Sequence, residues 1–306
     1  MPAPLPPLAG RRALFVSWVT HHGRSEDLAR ELGAECAFVA VGTLRNRRTA
    51  PARHAWQALV TTWLLLARRP RVLVVMAPPA PLVLLGLLWS RLTRSRLIVD
   101  CHSGAVLGRP LSGRLAAHAD LVLVTLPQLA AQFPRAVPVH DPPVHLPPAP
   151  RHDEVVFPAS WLPDEPLEDL LAAARALPET RFAITGTPRT NPVLSPNVRL
   201  TGYLDLDDYR DLLAGAPAVL ALTTREDTMQ RAAYEAIGAG RPVIASDTTA
   251  LRAYLGDSAT YAGDLTQAIS DALSRLPELE RAAEAVRLEQ QRAFDDALER
   301  IASVLA

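Results

Sequence analysis

Lysine is missing from this 306-residue chain; all 32 basic residues are arginine. That absence excludes a lysine Schiff base, a Walker-type phosphate lysine and a lysine general base, and it leaves any phosphate to arginine or to backbone amides. Cysteine is scarce as well. Cys36 and Cys101 stand far apart without a partner pattern, so neither a disulfide framework nor a zinc site is expected, and a reducing, cytoplasmic setting fits. Aromatic residues make up 5% of the chain and hydrophobic residues 49%, the composition of a soluble globular protein built on Ala, Leu and Val. The N-terminal region has only a short apolar run, at residues 13–19, and no small-residue cleavage site, so it reads as a first strand instead of a signal peptide.

A formal charge of zero conceals an uneven distribution. Residues 1–150 hold 17 Arg against 7 acids, and residues 151–306 hold 15 Arg against 25 acids. The halves therefore differ in sign, which points the first half toward an anionic surface or a phosphate-bearing acceptor, or simply reflects unequal solvated faces. Between Arg71 and Arg91 lie 19 uncharged residues, but Pro78, Pro79 and Pro81 interrupt them. A buried strand, a Pro-rich turn and a helix fit better than a membrane span. That helix, with Leu82, Leu85, Leu88 and Trp89 followed by Arg91, Arg94 and Arg96, reads either as packed on the sheet or as lying on a bilayer.

Apolar runs alternate with helical patterns along the whole chain, which means parallel sheets of α/β class. In the first half the strands fall at residues 13–19, 36–41, 72–76, 96–100 and 121–125, with helices over 26–32, 54–67, 82–92 and 111–119, and Ser25 as an expected N-cap. Residues 134–150 contain seven prolines and read as a stiff linker. The expected organisation is an N-terminal domain over 1–137, a linker over 138–150 and a C-terminal domain over 151–306, whose final helix crosses back. In the second domain the strands fall at 154–157, 181–185 and 218–222, with a helix from about Met229 to Ala239 and a strand at 242–246.

The chemistry concentrates at residues 218–247, where a strand is followed by the polar turn TTREDTMQ and a helix. Amides at Met229, Gln230 and Arg231, with the helix dipole, suit a diphosphate at the carboxyl edge of the sheet, and Thr224, Thr228 and Arg225 lie in the same turn. Glu235 is placed to accept from a pair of ribose hydroxyls, though on residues alone Arg231 and Glu235 also read as an ion pair on a solvated helix face. Gly238-Ala239-Gly240 ends a helix and is no dinucleotide fingerprint. Arg45, Arg47, Arg48 and Arg53 lack interleaved aromatics, so nucleic acid is not expected.

This stretch resembles the donor-site signature of retaining GT-B glycosyltransferases, especially glycosyltransferase family 4 (glycosyl transferases group 1), in which two acids are separated by seven residues. Asp227 and Glu235 have that spacing, Glu226 is one residue out, and AIGAGRPVIASD follows. The resemblance implies two Rossmann-like domains with parallel sheets facing a central cleft, and retaining transfer of a sugar from a UDP- or GDP-linked donor to a hydroxyl. It implies that Asp227 lies near the donor sugar, that Glu235 binds ribose, that Thr185 and Gly186 form the donor-side turn and that the Tyr203 backbone meets the base. His102, in CHSG at residues 101–104, is implied on the acceptor side and, with Asp227, as a catalytic residue; His21, His22 and Gly23 in the first strand-to-helix turn are implied on the acceptor side. Neither metal nor cofactor is implied. Thr228 and Gln230 stand where the family usually has glycine, and Ser160 and Trp161 where it usually has an Arg and Lys clamp. The basic first half fits a glycan or lipid-linked acceptor of the cell envelope and peripheral membrane contact. The alternatives are a catalytically silent subunit that binds or activates a partner transferase and, ranked lower, a nucleotide-sugar epimerase.

Overall fold

The computed structural model describes residues 6–41, 49–102, 110–188 and 191–305. The chain divides into two compact units, Met1–Pro142 with Ala293–Ala306, and Pro143–Arg292.

Unit 1 is built on strands β1 (Ala13–Ser17), β2 (Glu35–Phe38), β3 (Val72–Ala77), β4 (Arg96–Cys101), β5 (Leu121–Val124) and β6 (Ala136–Pro138), all parallel in the order β2-β1-β3-β4-β5-β6. Every residue of β3 and β5 is buried, as continuous apolar runs require in a sheet covered on both faces. The helices are α1 (Gly23–Leu32), α2 (Ala50–Arg68), α3 (Ala80–Thr93), α4 (Pro110–Ala116) and α5 (Pro127–Ala130). The cap of α1 differs from expectation. Ser25 lies inside the helix and His22 is the N-cap, because its ring nitrogen accepts the Ser25 N–H that an Asp or Ser oxygen would otherwise take. Of the apolar residues named for the two readings of α3, Leu82 is buried, Leu85 and Trp89 are half-buried and Leu88 is exposed. Ser103, Gly104, Arg45, Arg47 and Arg48 lie outside the described residues.

Unit 2 carries β7 (Glu154–Phe157), β8 (Arg181–Thr185), β9 (Val198–Gly202), β10 (Val219–Ala221), β11 (Val243–Ser246) and β12 (Ala259–Ala262), again all parallel, in the order β12-β11-β10-β7-β8-β9. Its helices are α6 (Leu167–Ala176), α7 (Leu206–Gly215), α8 (Arg231–Gly238), α9 (Thr249–Leu255) and α10 (Leu265–Ser274). Alternation along each strand feeds two cores. Val155 and Phe157 pack with Leu170, Phe182 and Ile269 on one face, and Val156 packs with Leu213, Ala236 and Ile237 on the other.

The last helix, α11 (Leu276–Leu305), runs through 30 residues and serves both units. Leu279 and Ala283 are buried in unit 2, whereas Phe294, Ala297, Ile301 and Leu305 join the core of unit 1 around Phe15, Leu28 and Leu32. The proline-rich segment is also less uniform than a linker. Residues 136–138 pair with β5 because Val137 faces inward and the ladder needs few amides at a sheet edge, and the division between units falls after Pro142.

Candidate active site

In unit 2 the chain leaves β7 in one direction to build β8 and β9, then returns to the other side of β7 to build β10. Loops that diverge at such a switch point leave a crevice at the carboxyl ends of the strands. Asp164 stitches the two loops together. It is 9% exposed; its backbone carbonyl accepts from Thr224 N at 2.8 Å, and its Oδ2 accepts from Thr223 Oγ1 at 3.3 Å and lies 3.4 Å from Arg225 Nε. Its other oxygen, Oδ1, is buried with no hydrogen-bond partner among the described residues.

The turn after β7 is bound to the turn after β8. Ala159 N donates to Thr185 Oγ1 at 3.2 Å, the Trp161 indole donates to Thr185 O at 2.9 Å, and the Ser160 amide is held by Glu165 at 2.9 Å. Gly186 has φ +77°, and a Cβ there would stand 2.8 Å from Ala159 O and 2.9 Å from Trp161 Nε1, so only glycine fits. Gly186 N in turn donates to Gly202 O at 2.8 Å, which fixes the turn carrying Tyr203, itself 89% exposed. Ser160, Thr185, Gly186 and Tyr203 are thus gathered along one edge.

Glu235 is 13% exposed on α8. Tyr209 of α7 donates to its Oε2 at 2.5 Å, and Arg231 Nε donates to its Oε1 at 3.1 Å. Burial, and after it the adjacent Glu235 carboxylate, hold the Tyr209 phenol far above its usual range, so it remains a donor at any working pH. The ion pair with Arg231 forms, as the residues alone allowed. Because each carboxylate oxygen has a second lone pair, the clamp orients Glu235 and leaves acceptor capacity on both oxygens.

Two further details differ from expectation. Helix α8 opens at Arg231 with Gln230 as N-cap, so Met229 and Gln230 precede the helix and the first-turn amides begin with Arg231. Met229 instead packs on the apolar core, which draws the chain inward before the helix can start. Glu226 accepts from Thr249 N and Thr249 Oγ1 at 3.0 and 3.1 Å, holding the start of α9. Asp227 beside it is exposed, and Thr228 is half-buried.

In unit 1 the carboxyl ends of β1, β4 and β6 bring together a buried ionic cluster. Arg24, 2% exposed, donates through Nε and Nη2 to the fully buried Asp100 at 2.9–3.3 Å and through Nη1 to Asp141 at 3.0 Å. Burial alone would raise the Asp100 pKa, but Arg24 and His102 outweigh it and hold the carboxyl well below its usual value. His102 Nε2 lies 3.3 Å from Asp100 Oδ2, and its ring meets the His22 ring edge-on at 4.9 Å between centroids. His22 Nδ1 accepts the Ser25 N–H, so its neutral ring carries the proton on Nε2. Burial first, and the neighbouring His102 second, lower the His22 pKa to about 4. Gly23 opens α1 beside this pair. His21 is exposed and lies instead against Phe38 and Glu26. The cysteines are not nucleophile candidates, since burial pushes Cys36 up to about 11 and raises Cys101 further.

Residues 153–278 match the family model described as Glycosyl transferases group 1. No curated protein matches the chain. Among solved structures, the Anabaena HepE protein in complex with UDP and glucose is similar over 96% of this chain and 99% of its own, with TM-score 0.70 and 12% identity. Sucrose-phosphate synthase from Thermosynechococcus elongatus is similar over 96% and 98%, with TM-score 0.74 and 14% identity. The glycosyltransferase SnogD from Streptomyces nogalater is similar over 95% and 99%, with TM-score 0.62 and 18% identity. The chain has the GT-B fold.

Within this GT-B chain, sequence reasoning missed Tyr209, Asp164, Arg24, Asp141 and the proximity of Asp100 to His102. Their signals are tertiary. Asp100 and Asp141 lie 76 and 117 residues from Arg24, and an arginine in a strand-to-helix turn looks like any solvated charge.

Proposed function

We propose that the protein is a glycosyltransferase that moves a sugar from a UDP- or GDP-linked donor, bound by unit 2, to a hydroxyl of a glycan or lipid-linked acceptor of the cell envelope. One observation carries the reading. Glu235 is clamped by Tyr209 and Arg231 at the start of α8, inside the segment that matches the group 1 transferase model. A carboxylate held this way, with a free lone pair on each oxygen, suits the two ribose hydroxyls of a nucleotide. The HepE structures with UDP and with UDP-glucose support a nucleotide-sugar donor by likeness of fold.

In this reading Arg225, Arg231, Thr224, Thr228 and the first amides of α8 take up the diphosphate charge, and no lysine or resident metal is called on. The Gly186 turn, Ser160 and the Tyr203 backbone border the nucleoside. Asp227 positions the donor sugar. Transfer proceeds with retention by front-face attack; the acceptor oxygen forms the new glycosidic bond, the bond to the diphosphate breaks, and the leaving diphosphate takes the acceptor proton. His102, oriented by Asp100, serves the acceptor in unit 1 with His22 and Gly23. Arginine-rich unit 1 suits an anionic acceptor.

A second reading has a specific observation behind it. The turn after β7 contains Ser160 and Trp161 and no cation, and Arg225 is already paired with Asp164. A chain that keeps the fold but activates a partner transferase would look like this. Incubation of the purified protein with a panel of UDP- and GDP-sugars and envelope lipid or oligosaccharide acceptors separates the two. Acceptor-dependent nucleotide release, with the donor's anomeric configuration kept in the product, supports the transferase. Nucleotide binding without turnover across the panel would favour the silent subunit.

A further inference from the structure

Helix α2 is built inside out. Its inward side is formed by Gln57, Thr61 and Leu65. Gln57 Nε2 donates to Val39 O at 2.7 Å, and Thr61 Oγ1 accepts from the buried Trp18 indole at 2.8 Å, so polar contacts hold this helix to the unit. The opposite side carries Trp56, Leu59, Trp63 and Leu66, all exposed, Trp63 to 66%. Steps of three, four and three residues, at about 100° each, confine them to an arc of about 80°. Helix α3 packs beside α2 and exposes Leu84, Leu88 and Leu92 at successive steps of four. Scattered exposed leucines need no explanation, but two adjoining helical stripes of this kind mark an interaction surface.

Charge selects what covers it. Residues 36–99, which include both helices, hold ten arginines and no aspartate or glutamate. Arg68 and Arg69 end α2, Arg91 and Arg94 end α3, and all four are exposed; Arg68 lies 3.0 Å from Glu35, the last acid before the stretch. A second copy docked face to face would press two acid-free, arginine-rich surfaces together. An anionic bilayer neutralises the arginines with lipid phosphates and accepts indole rings at headgroup depth. We propose that the outer face of α2 and α3 docks on an anionic lipid bilayer, with Trp56 and Trp63 at the boundary between headgroups and acyl chains. The inference stands apart from the donor site and holds whether or not unit 2 binds a nucleotide.

Cosedimentation of the intact protein with vesicles of phosphatidylcholine, alone or mixed with phosphatidylglycerol, tests it. The wild type should bind the anionic vesicles preferentially and less well as salt rises. The double variant W56A/W63A should bind about tenfold more weakly or worse, and R91E/R94E should lose the preference for anionic lipid. All four side chains are exposed, so both variants should keep the wild-type circular dichroism spectrum. Brominated lipids should quench wild-type tryptophan fluorescence, a reading that needs no variant. Absence of anionic-vesicle binding, binding unchanged in W56A/W63A, or a lipid-free dimer abolished by that variant would each overturn the proposal.

Discussion

Arg24 is held by two carboxylates in a place where water barely reaches it. Truncating one partner of such a cluster strands the others, so Arg24→Ala should destabilise unit 1 by about 3–5 kcal/mol in urea unfolding, whereas replacing Arg24 and Asp100 together by Met and Leu should cost much less. The histidines nearby set a pH dependence. His22 and His140 both have pKa values lowered to about 4, in each case chiefly by burial, with a neighbouring cation or histidine adding to it. An unfolded chain would take up those protons near the ordinary value of about 6.5, so it binds more protons than the folded chain between pH 6.5 and 4. Stability should therefore fall as pH drops through that window and level off below it. Hydrogen exchange in unit 1 followed across the window should show this loss, and H22N and H140N should each flatten the slope. None of this was legible in the sequence, where Arg24 and His140 sit in segments that read only as a turn and a linker. Glu235 stood out as a candidate, because its spacing from Asp227 lies within one short stretch; its clamp did not, because Tyr209 comes from a different helix.

Among the elements, the strands with continuous apolar runs could be read directly, since β3 and β5 are buried on both faces and need no alternation to be recognised. Helix starts were harder. The start of α8 shifted because Met229 prefers the core, and the cap of α1 shifted because a histidine took the role usually given to Ser or Asp. Helix α11 shows what periodicity alone leaves out. Its polar sequence predicts a helix, but Phe294, Ala297, Ile301 and Leu305 commit its last turns to the core of unit 1, about 280 residues from the strand they cover. Ile301→Ala should cost about 2–5 kcal/mol, as for other fully buried aliphatic truncations, and the loss should appear in the exchange of unit 1 amides while those of β8 and β11 keep their protection.

At the scale of the whole molecule, the sequence revealed α/β alternation, two halves of opposite charge and a donor-type signature, and the structure gives each half a six-stranded parallel sheet. In unit 1 exposed arginines at the ends of α2 and α3 flank an apolar face of α2 that composition alone could not single out, since Gln57 and Thr61 point inward and the tryptophans outward. Among the described residues no helix is long and apolar enough to cross a membrane. The proposed donor site, however, lies in unit 2 around Glu235. Calorimetric titration of UDP and of GDP into the wild type, Tyr209→Phe and Glu235→Ala tests it most directly. One nucleotide should bind, Tyr209→Phe should weaken it about three- to tenfold by freeing the carboxylate, and Glu235→Ala should weaken it by about tenfold or more. Binding of a nucleotide with equal affinity to wild type and Glu235→Ala, or binding of neither nucleotide to the wild type, would contradict that donor site.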